Sequence, residues 1–358
     1  MKIMYVDIVL DGHHLSYLNA LIKKNDNECC IVAPEKVVGM CEEQYVFSKM
    51  DFLNKKINKY YKWINEVYNF ASYAKPDVIH FLYGDVFYKY FGLGLKKFTN
   101  KYKTVVTFHG FRTNKISQLS MKRIFHNISI GVVHTQLIEE KIKLMGVNNV
   151  SHIEYPHFSS SLNVSNSGIK EEFGIKTDAP VLGCLGSTRY DKGLDILLKA
   201  LKEVKNPFEL LIAGTEDFIS KEMIIELSKE YSSKVHIMIK YLSEEEFEKA
   251  LVVSDIIVLP YRKVFNGASG PLGEGVWKEK MIIGPDHGSL GDIIKKNHLG
   301  YTFLSEDSKD IASTINRSLN QPFEYDVIAQ KYRKSLTVEE FATQYKKIYQ
   351  DNVRIDNV

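Results

Sequence analysis

The 358-residue chain holds only four cysteines, Cys29, Cys30, Cys41 and Cys184, with no CxxC pair and no regular spacing. A disulfide framework is not expected, and a reducing compartment is. Long hydrophobic runs are missing too: none approaches the roughly 18 residues needed to cross a bilayer. Residues 1–10 are apolar but contain Asp7, lack a basic leader and meet Asp11 at once, so neither a signal peptide nor a span is expected there. Internal repeats and low-complexity tracts are also absent. These absences point to the cytoplasm. The net charge is only +3, and no recognition motif accompanies it, so nucleic acid is not an expected partner.

That small net charge hides an uneven distribution. Residues 1–160 carry a surplus of seven positive charges, and the remainder is acidic by four. Two stretches of the basic half, 54–73 and 87–98, mix lysines with aromatic residues. Such a mixture suits peripheral contact with the inner face of a membrane. It equally suits core-packed helices with a solvated lysine face, and the sequence leaves both open.

What is present is a regular alternation. Apolar runs such as Ile3–Val9, VIHFLY (78–83), TVVTFHG (104–110) and SIGVVHT (129–135) alternate with amphipathic segments at Leu15–Lys24 and 54–73. Parallel strands need crossover connections, so this alternation predicts a doubly wound α/β domain. The polar stretch HFSSSLNVSNSG (157–168) reads as a linker. Beyond it the alternation resumes through APVLGCLGS (179–187), FELLIAG (208–214), KVHIMI (234–239), DIIVLPY (255–261) and KMIIGP (280–285). The expected organisation is a Rossmann-like domain at 1–160, a second at 161–330, and a helical tail at 331–358 packing back toward the first. Two such domains facing one another present their strand-to-helix loops to a common cleft, where chemistry is expected.

The richest of these loops is LGSTRYDKGLDILLKAL (185–201). Small residues bring backbone close to a ligand, and Arg189 and Lys192 at a strand-to-helix turn suit a diphosphate. A second is FNGASGPLGEGVWKEK (265–280), where Ser269 and Gly270 open a helix whose unpaired N–H groups suit an anion. Glu274, about one turn in, suits a pair of vicinal hydroxyls. Near the N-terminus, LDGHHLSYLNAL (10–21) follows the first strand. Neighbouring helical positions point about 100° apart, so His13 and His14 do not readily share a metal. His109 stands just past the strand TVVTF.

These segments resemble the retaining glycosyltransferases of the two-Rossmann-domain GT-B type, and among them family 4. GSTRYDKGLDILL is similar to that family's G-x-x-R-x-x-K-G phosphate loop, and NGASGPLGEGVWKEKMIIG to its E-x7-E element. The resemblance implies transfer of a sugar from a nucleoside diphosphate, with UDP-sugars favoured over GDP-sugars, to a glycan or lipid-linked glycan. It implies that Arg189 and Lys192 hold the diphosphate and act in catalysis, that Glu274 binds ribose, and that the amides of Ser269 and Gly270 face the β-phosphate. Asn266 stands where the first glutamate belongs. Base recognition falls near Tyr241 and Leu242, and Gly12 approaches the donor. His109, near the transferred sugar and the acceptor, is implied to act in catalysis too, with His13 and His14 on the acceptor side. No DxD triplet occurs, which fits the metal-independent habit of the group, so no metal or other cofactor is expected. The missing first glutamate leaves two alternatives open: a non-catalytic homologue that binds or stabilises another transferase, and an epimerase acting on nucleotide sugars.

Overall fold

The computed structural model describes residues 1–10, 13–24, 27–47, 56–158 and 168–351. The chain divides into two units, one formed by Met1–Tyr155 with Val338–Val358 and the other by Pro156–Thr337. The chain therefore returns to its first unit after completing the second.

The first unit is built on seven strands: Lys2–Val6 (β1), Glu28–Ala33 (β2), Gln44–Val46 (β3), Val78–Phe81 (β4), Lys103–Phe108 (β5), Ile130–Val133 (β6) and Val150–His152 (β7). Their order is β3-β2-β1-β4-β5-β6-β7, and every pairing is parallel. Parallel strands are covered on both faces, which is why Val78–Phe81 is buried at every position rather than at every second one. The crossovers include helices His13–Lys23 (α1), Ile57–Ala74 (α2), Lys96–Thr99 (α3), Lys115–His126 (α4) and Gln136–Leu144 (α5). In α1 the inward residues are Tyr17, Leu18 and Leu21, whereas Leu15 is 42% exposed. Positions 14, 17, 18 and 21 follow the helical period more closely than 15, 18 and 21 do.

The basic aromatic segments also turn out differently from a membrane-facing arrangement. Helix α2 buries Tyr60, Trp63, Ile64 and Val67, and the turn of 3₁₀ helix at Gly84–Tyr90 buries Phe87, Tyr88 and Tyr90. Tyr60 and Tyr90 stack at 4.1 Å between the two segments. The aromatic side chains expected to meet lipid thus largely form the core, while Ile57 and Tyr61 lie on the exposed side of α2. Among the described residues no helix is long and apolar enough to cross a membrane.

The returning segment contributes helix Val338–Gln350 (α14) to the first unit. It is fixed there by a chain of buried hydrogen bonds whose direction can be worked out. The carbonyl of Ile153 can only accept, so His134, 2.9 Å away, carries its proton on Nδ1. Burial holds His134 well below its ordinary range, so the ring is neutral and Nε2 accepts from the Tyr17 hydroxyl at 3.2 Å. Tyr17 then accepts from Tyr345 at 2.5 Å, and Tyr345 from Thr107 at 2.7 Å. Thr107 accepts from His80 Nε2 at 2.8 Å. Burial pushes His80 down to about 3, so its Nδ1 accepts from Tyr349, also at 2.8 Å. Tyr345→Phe strips Thr107 of its acceptor and Tyr17 of its donor. We expect a loss of about 1–3 kcal/mol in chemical denaturation; an unchanged midpoint would show that the chain contributes nothing.

The second unit carries strands Val181–Leu185 (β8), Glu209–Gly214 (β9), Val235–Ile239 (β10), Ile256–Val258 (β11), Met281–Pro285 (β12) and Gly300–Phe303 (β13). They form a parallel sheet in the order β10-β9-β8-β11-β12-β13. Around it lie helices Ile169–Glu172 (α6), Leu194–Ala200 (α7), Lys221–Leu227 (α8), Glu244–Val253 (α9), Gly270–Trp277 (α10), Gly288–Lys296 (α11), Ser308–Asn320 (α12) and Val327–Ser335 (α13). Two hydrophobic clusters flank the sheet, one including Leu185, Ile257 and Val276, the other Leu197, Ile212 and Ile283. Most of the interdomain linker, residues 159–167, lies outside the described residues.

Candidate functional site

In the second unit the carboxyl ends of three strands meet at close quarters. Gly186 N donates to Ala213 O at 2.9 Å, and Lys240 N to Gly214 O at 2.8 Å. A Cβ on Gly214, whose φ is +148°, would lie 1.9 Å from Gly186 O, so only glycine lets β9 approach the loop after β8. That loop is then pinned by Thr188, which donates to Ile219 O at 2.7 Å and accepts from Asp217 N at 2.9 Å.

Arg189 and Lys192 rise from this pinned loop. Arg189 is engaged by Asp191 through both arms of its guanidinium, at 3.0 and 2.8 Å. Lys192 points inward: its Nζ donates to the Tyr261 hydroxyl at 2.5 Å and lies 3.8 Å from the Tyr261 ring centre and 4.9 Å from that of Phe265. Burial, with a smaller push from the Arg189 charge, lowers its ammonium to about 7. Arg262 braces the loop from the side. It donates to both carboxylate oxygens of Asp195 at 2.7 Å and to Tyr190 O at 2.9 Å, and its guanidinium covers the Tyr190 ring at 4.3 Å.

The helix behind the loop, α7, starts at Gly193, which has a φ of +64° and would place a Cβ 2.1 Å from Pro260 O. Gly193→Ala should cost on the order of 2–4 kcal/mol, from the left-handed backbone and from the displaced Pro260 strand end together. A thermal melt indistinguishable from the parent would contradict that packing.

The second loop is brought to the first through Tyr261. Its hydroxyl lies 3.1 Å from Ser269 Oγ, and Ser269 is the N-cap of α10, accepting from Leu272 N. Lys192, Tyr261 and Ser269 therefore form one hydrogen-bonded link from the phosphate-type loop to the helix start. Gly270 is the first residue of that helix, and Gly186 faces Pro271, to which a Cβ would stand at 3.7 Å. Asn266 follows Phe265 and is partly buried. Tyr241 is 73% exposed beyond β10, while Leu242 packs on the hydrophobic cluster.

Glu274 has a use that its sequence position does not suggest. Its side chain is buried, and Oε1 accepts from Phe158 N at 2.8 Å. Beside it His157 stacks on Trp277 at 3.9 Å and 10° and donates its backbone N–H to Leu336 O at 2.9 Å. The carboxylate thus holds the start of the segment that leads away from the first unit.

In the first unit, the loops after β1, β4 and β5 border a cavity of about 220 Å³ lined by Asp7, His14, Tyr17, Leu82, Tyr83, His109 and Tyr155. His109 donates Nε2–H to Leu82 O at 2.8 Å. Burial keeps its ring below the ordinary histidine range, against the pull of Asp85, so the neutral ring presents Nδ1 as an acceptor. Asp85 in turn receives the backbone N–H groups of His109 and Gly110 at 2.8 and 3.1 Å. His14 Nδ1 lies 3.1 Å from Asp7 Oδ2, and the other oxygen of Asp7 accepts from Ile8 N at 2.7 Å. The rings of His14 and His109 are 6.0 Å apart, with Tyr83 stacked on His109. Gly12 lies outside the described residues, as does the side chain of His13. Among the described residues no group of three or more histidine, cysteine or acidic side chains is placed to hold a metal ion.

Tyr261, Phe265, Arg262 and Asp7 are parts of these sites that the motifs did not single out. The signal for the first three was their position directly after the strand DIIVL, the same edge from which Arg189 and Lys192 rise.

Residues 166–335 match the model of the family described as Glycosyl transferases group 1. A glycogen synthase of Hydrogenovibrio crunogenus is 30% identical over 90 residues, a match that spans 25% of this chain and only 18% of the length of that relative. Among solved structures, sucrose-phosphate synthase from Thermosynechococcus elongatus superposes with a TM-score of 0.77 at 14% identity, covering 98% of each chain. Anabaena Alr3699/HepE in complex with UDP gives 0.74 at 14% identity, covering 97% of this chain and 99% of that one.

Proposed function

We propose that this chain, a GT-B protein whose second unit carries a group 1 glycosyltransferase module, transfers a sugar from a nucleoside diphosphate to a glycan or lipid-linked glycan. The donor we favour is a UDP-sugar, as UDP occupies the similarly folded Anabaena protein. The observation that carries the reading is the link from Lys192 through Tyr261 to Ser269. It holds a cation beside the start of α10, an arrangement that supports binding of a diphosphate there, with Arg189 exchanging Asp191 for phosphate oxygens.

In this reading positive charge and helix-end N–H groups stabilise the leaving diphosphate, the task a divalent ion performs elsewhere. The transfer proceeds with retention: the leaving phosphate oxygen takes the proton of the acceptor hydroxyl on the face from which it departs. His109, neutral and accepting at Nδ1, and His14, oriented by Asp7, bind sugar hydroxyls on the first unit's side. Asn266 offers an amide to the sugar where a glutamate is usual. Glu274 binds ribose with the carboxylate that also holds Phe158. Synthesis of cell-surface polysaccharide or glycoconjugate, on the cytoplasmic face, is the setting this chemistry suits.

A thermal-shift screen against UDP, GDP, ADP and their sugars tests the donor, and proton NMR of the product of the stabilising donor reads its anomeric configuration. An inverted product would overturn the retaining mechanism. Asn266 favours a second reading, a nucleotide-binding homologue without transfer, in which the same screen finds a ligand but no acceptor is ever glycosylated.

A further inference from the structure

Helix α4 carries an outward face that none of the described residues of its own unit covers. Its inward side is firmly seated: Ser117, Ser120, Met121, Ile124 and Phe125 are buried, Ser120 Oγ donates to Tyr88 O at 2.6 Å, and Asn114 caps the first turn through Ser117 N at 2.9 Å. At about 100° per residue, Lys115, Ile116, Leu119, Lys122, Arg123 and His126 fall within a sector of about 120° on the other side. All six are exposed, and the two large apolar residues stand out at 71% for Ile116 and 63% for Leu119. Arg112, over the Tyr88 ring at 5.2 Å, and Lys141, over Phe111 at 6.0 Å, extend the cationic surface beside it.

The charge around this face has one sign. From Val86 to Ile138 the sequence contains nine lysines and arginines and not one aspartate or glutamate. Among the described residues Lys115, Lys122 and Arg123 form no ion pair, while the nearest acids in sequence are otherwise engaged. Asp85 is held by His109 and Gly110, and Glu139 by Lys143. Apolar residues ringed by unpaired cations on a rigid helix match an anionic lipid surface: the cations meet headgroups while Ile116 and Leu119 enter the interfacial layer. We propose that the outward face of α4 docks the protein on anionic membrane. The site is distinct from α2, whose Tyr60 and Trp63 are buried in the core, and it does not depend on the assigned donor chemistry.

The test is co-sedimentation of the full chain with vesicles of phosphatidylcholine alone and with about one third phosphatidylglycerol, at about 0.1 M and about 0.5 M salt. We expect binding to the anionic vesicles only, weakened severalfold by the higher salt. Each basic side chain near such a surface contributes roughly fivefold to partitioning, so K115E/K122E/R123E should lower it by at least tenfold. I116S/L119S should lower it severalfold and leave the salt dependence in place. K59E/K62E, on the exposed side of α2, should bind like the parent. Circular dichroism and thermal melts equal to the parent's establish that the variants are folded, and since neither needs a nucleotide they keep the outcome separate from that of the transferase reading. The proposal is overturned if the parent ignores anionic vesicles, if the triple variant binds as well as the parent, if K59E/K62E loses as much, or if the face captures duplex DNA but no vesicle.

Discussion

Replacing Lys192 by alanine should lower kcat/KM for sugar transfer by roughly 30- to 1000-fold, the equivalent of about 2–4 kcal/mol of transition-state stabilisation. The ammonium sits 2.5 Å from Tyr261 and one hydrogen bond further from the N-cap of α10, which under the proposed function is where the leaving diphosphate would gain charge. The variant also removes a cation from the ring faces of Tyr261 and Phe265 and takes from the Tyr261 hydroxyl its ammonium donor. Tyr261→Phe separates these effects: it keeps the ring and deletes the link to Ser269, and should cost about tenfold or less. Steady-state kinetics with the donor identified by thermal shift decide the matter, and parental rates in Lys192→Ala would remove the assigned phosphate site.

Nucleotide affinity should fall by about tenfold per pH unit above pH 7. In the free protein burial lowers Lys192 to about 7, so at pH 8 most molecules hold a neutral amine in the aromatic cage. A bound diphosphate favours the charged form and raises the group, so binding takes up a proton wherever the pH lies between the free and bound values. Linkage then sets the slope at 2.303RT per proton, about 1.4 kcal/mol per pH unit. The sign is fixed: affinity is fully developed below pH 7 and declines as pH rises. Calorimetry at pH 8 in buffers of different ionisation enthalpy should report an uptake approaching one proton, which Lys192→Arg abolishes. A pH-independent affinity between 7 and 9 would mean that this amine does not contact the nucleotide.

The parts of this molecule that could be read in its sequence are those whose partners are close in the chain. The βα alternation showed both sheets, because crossover helices follow their strands at short range. Arg189 and Lys192 stood out as candidates from their place after a strand, and Ser269 from its place at the start of a helix. Arg262 and Phe265 were not, since what gives them a role is contact with residues some 70 positions earlier. The chain from Tyr349 to His134 was less visible still: His80 meets Tyr349 across 269 residues and Tyr17 meets Tyr345 across 328. No local period announces such pairs, and lone histidines in strands gave no sign of them. The aromatic residues of α2 misled for a related reason. A helix with lysine on one side and rings on the other is the same pattern whether the rings meet lipid or a core, and only Tyr90 stacked on Tyr60 decides it.

The placement of α14 has a consequence for how the protein is made. The second unit is continuous in sequence, whereas the first has Val338–Gln350 as an integral piece. On the ribosome, then, residues 1–155 emerge first yet wait for their final helix until all of Pro156–Thr337 has been synthesised. Until that moment Thr107, Tyr17 and His80 lack the hydroxyl partners that α14 supplies, and buried polar groups without partners are costly. The first unit is therefore expected to complete its fold only after the second has been synthesised, the reverse of the usual order of N-terminal before C-terminal domain.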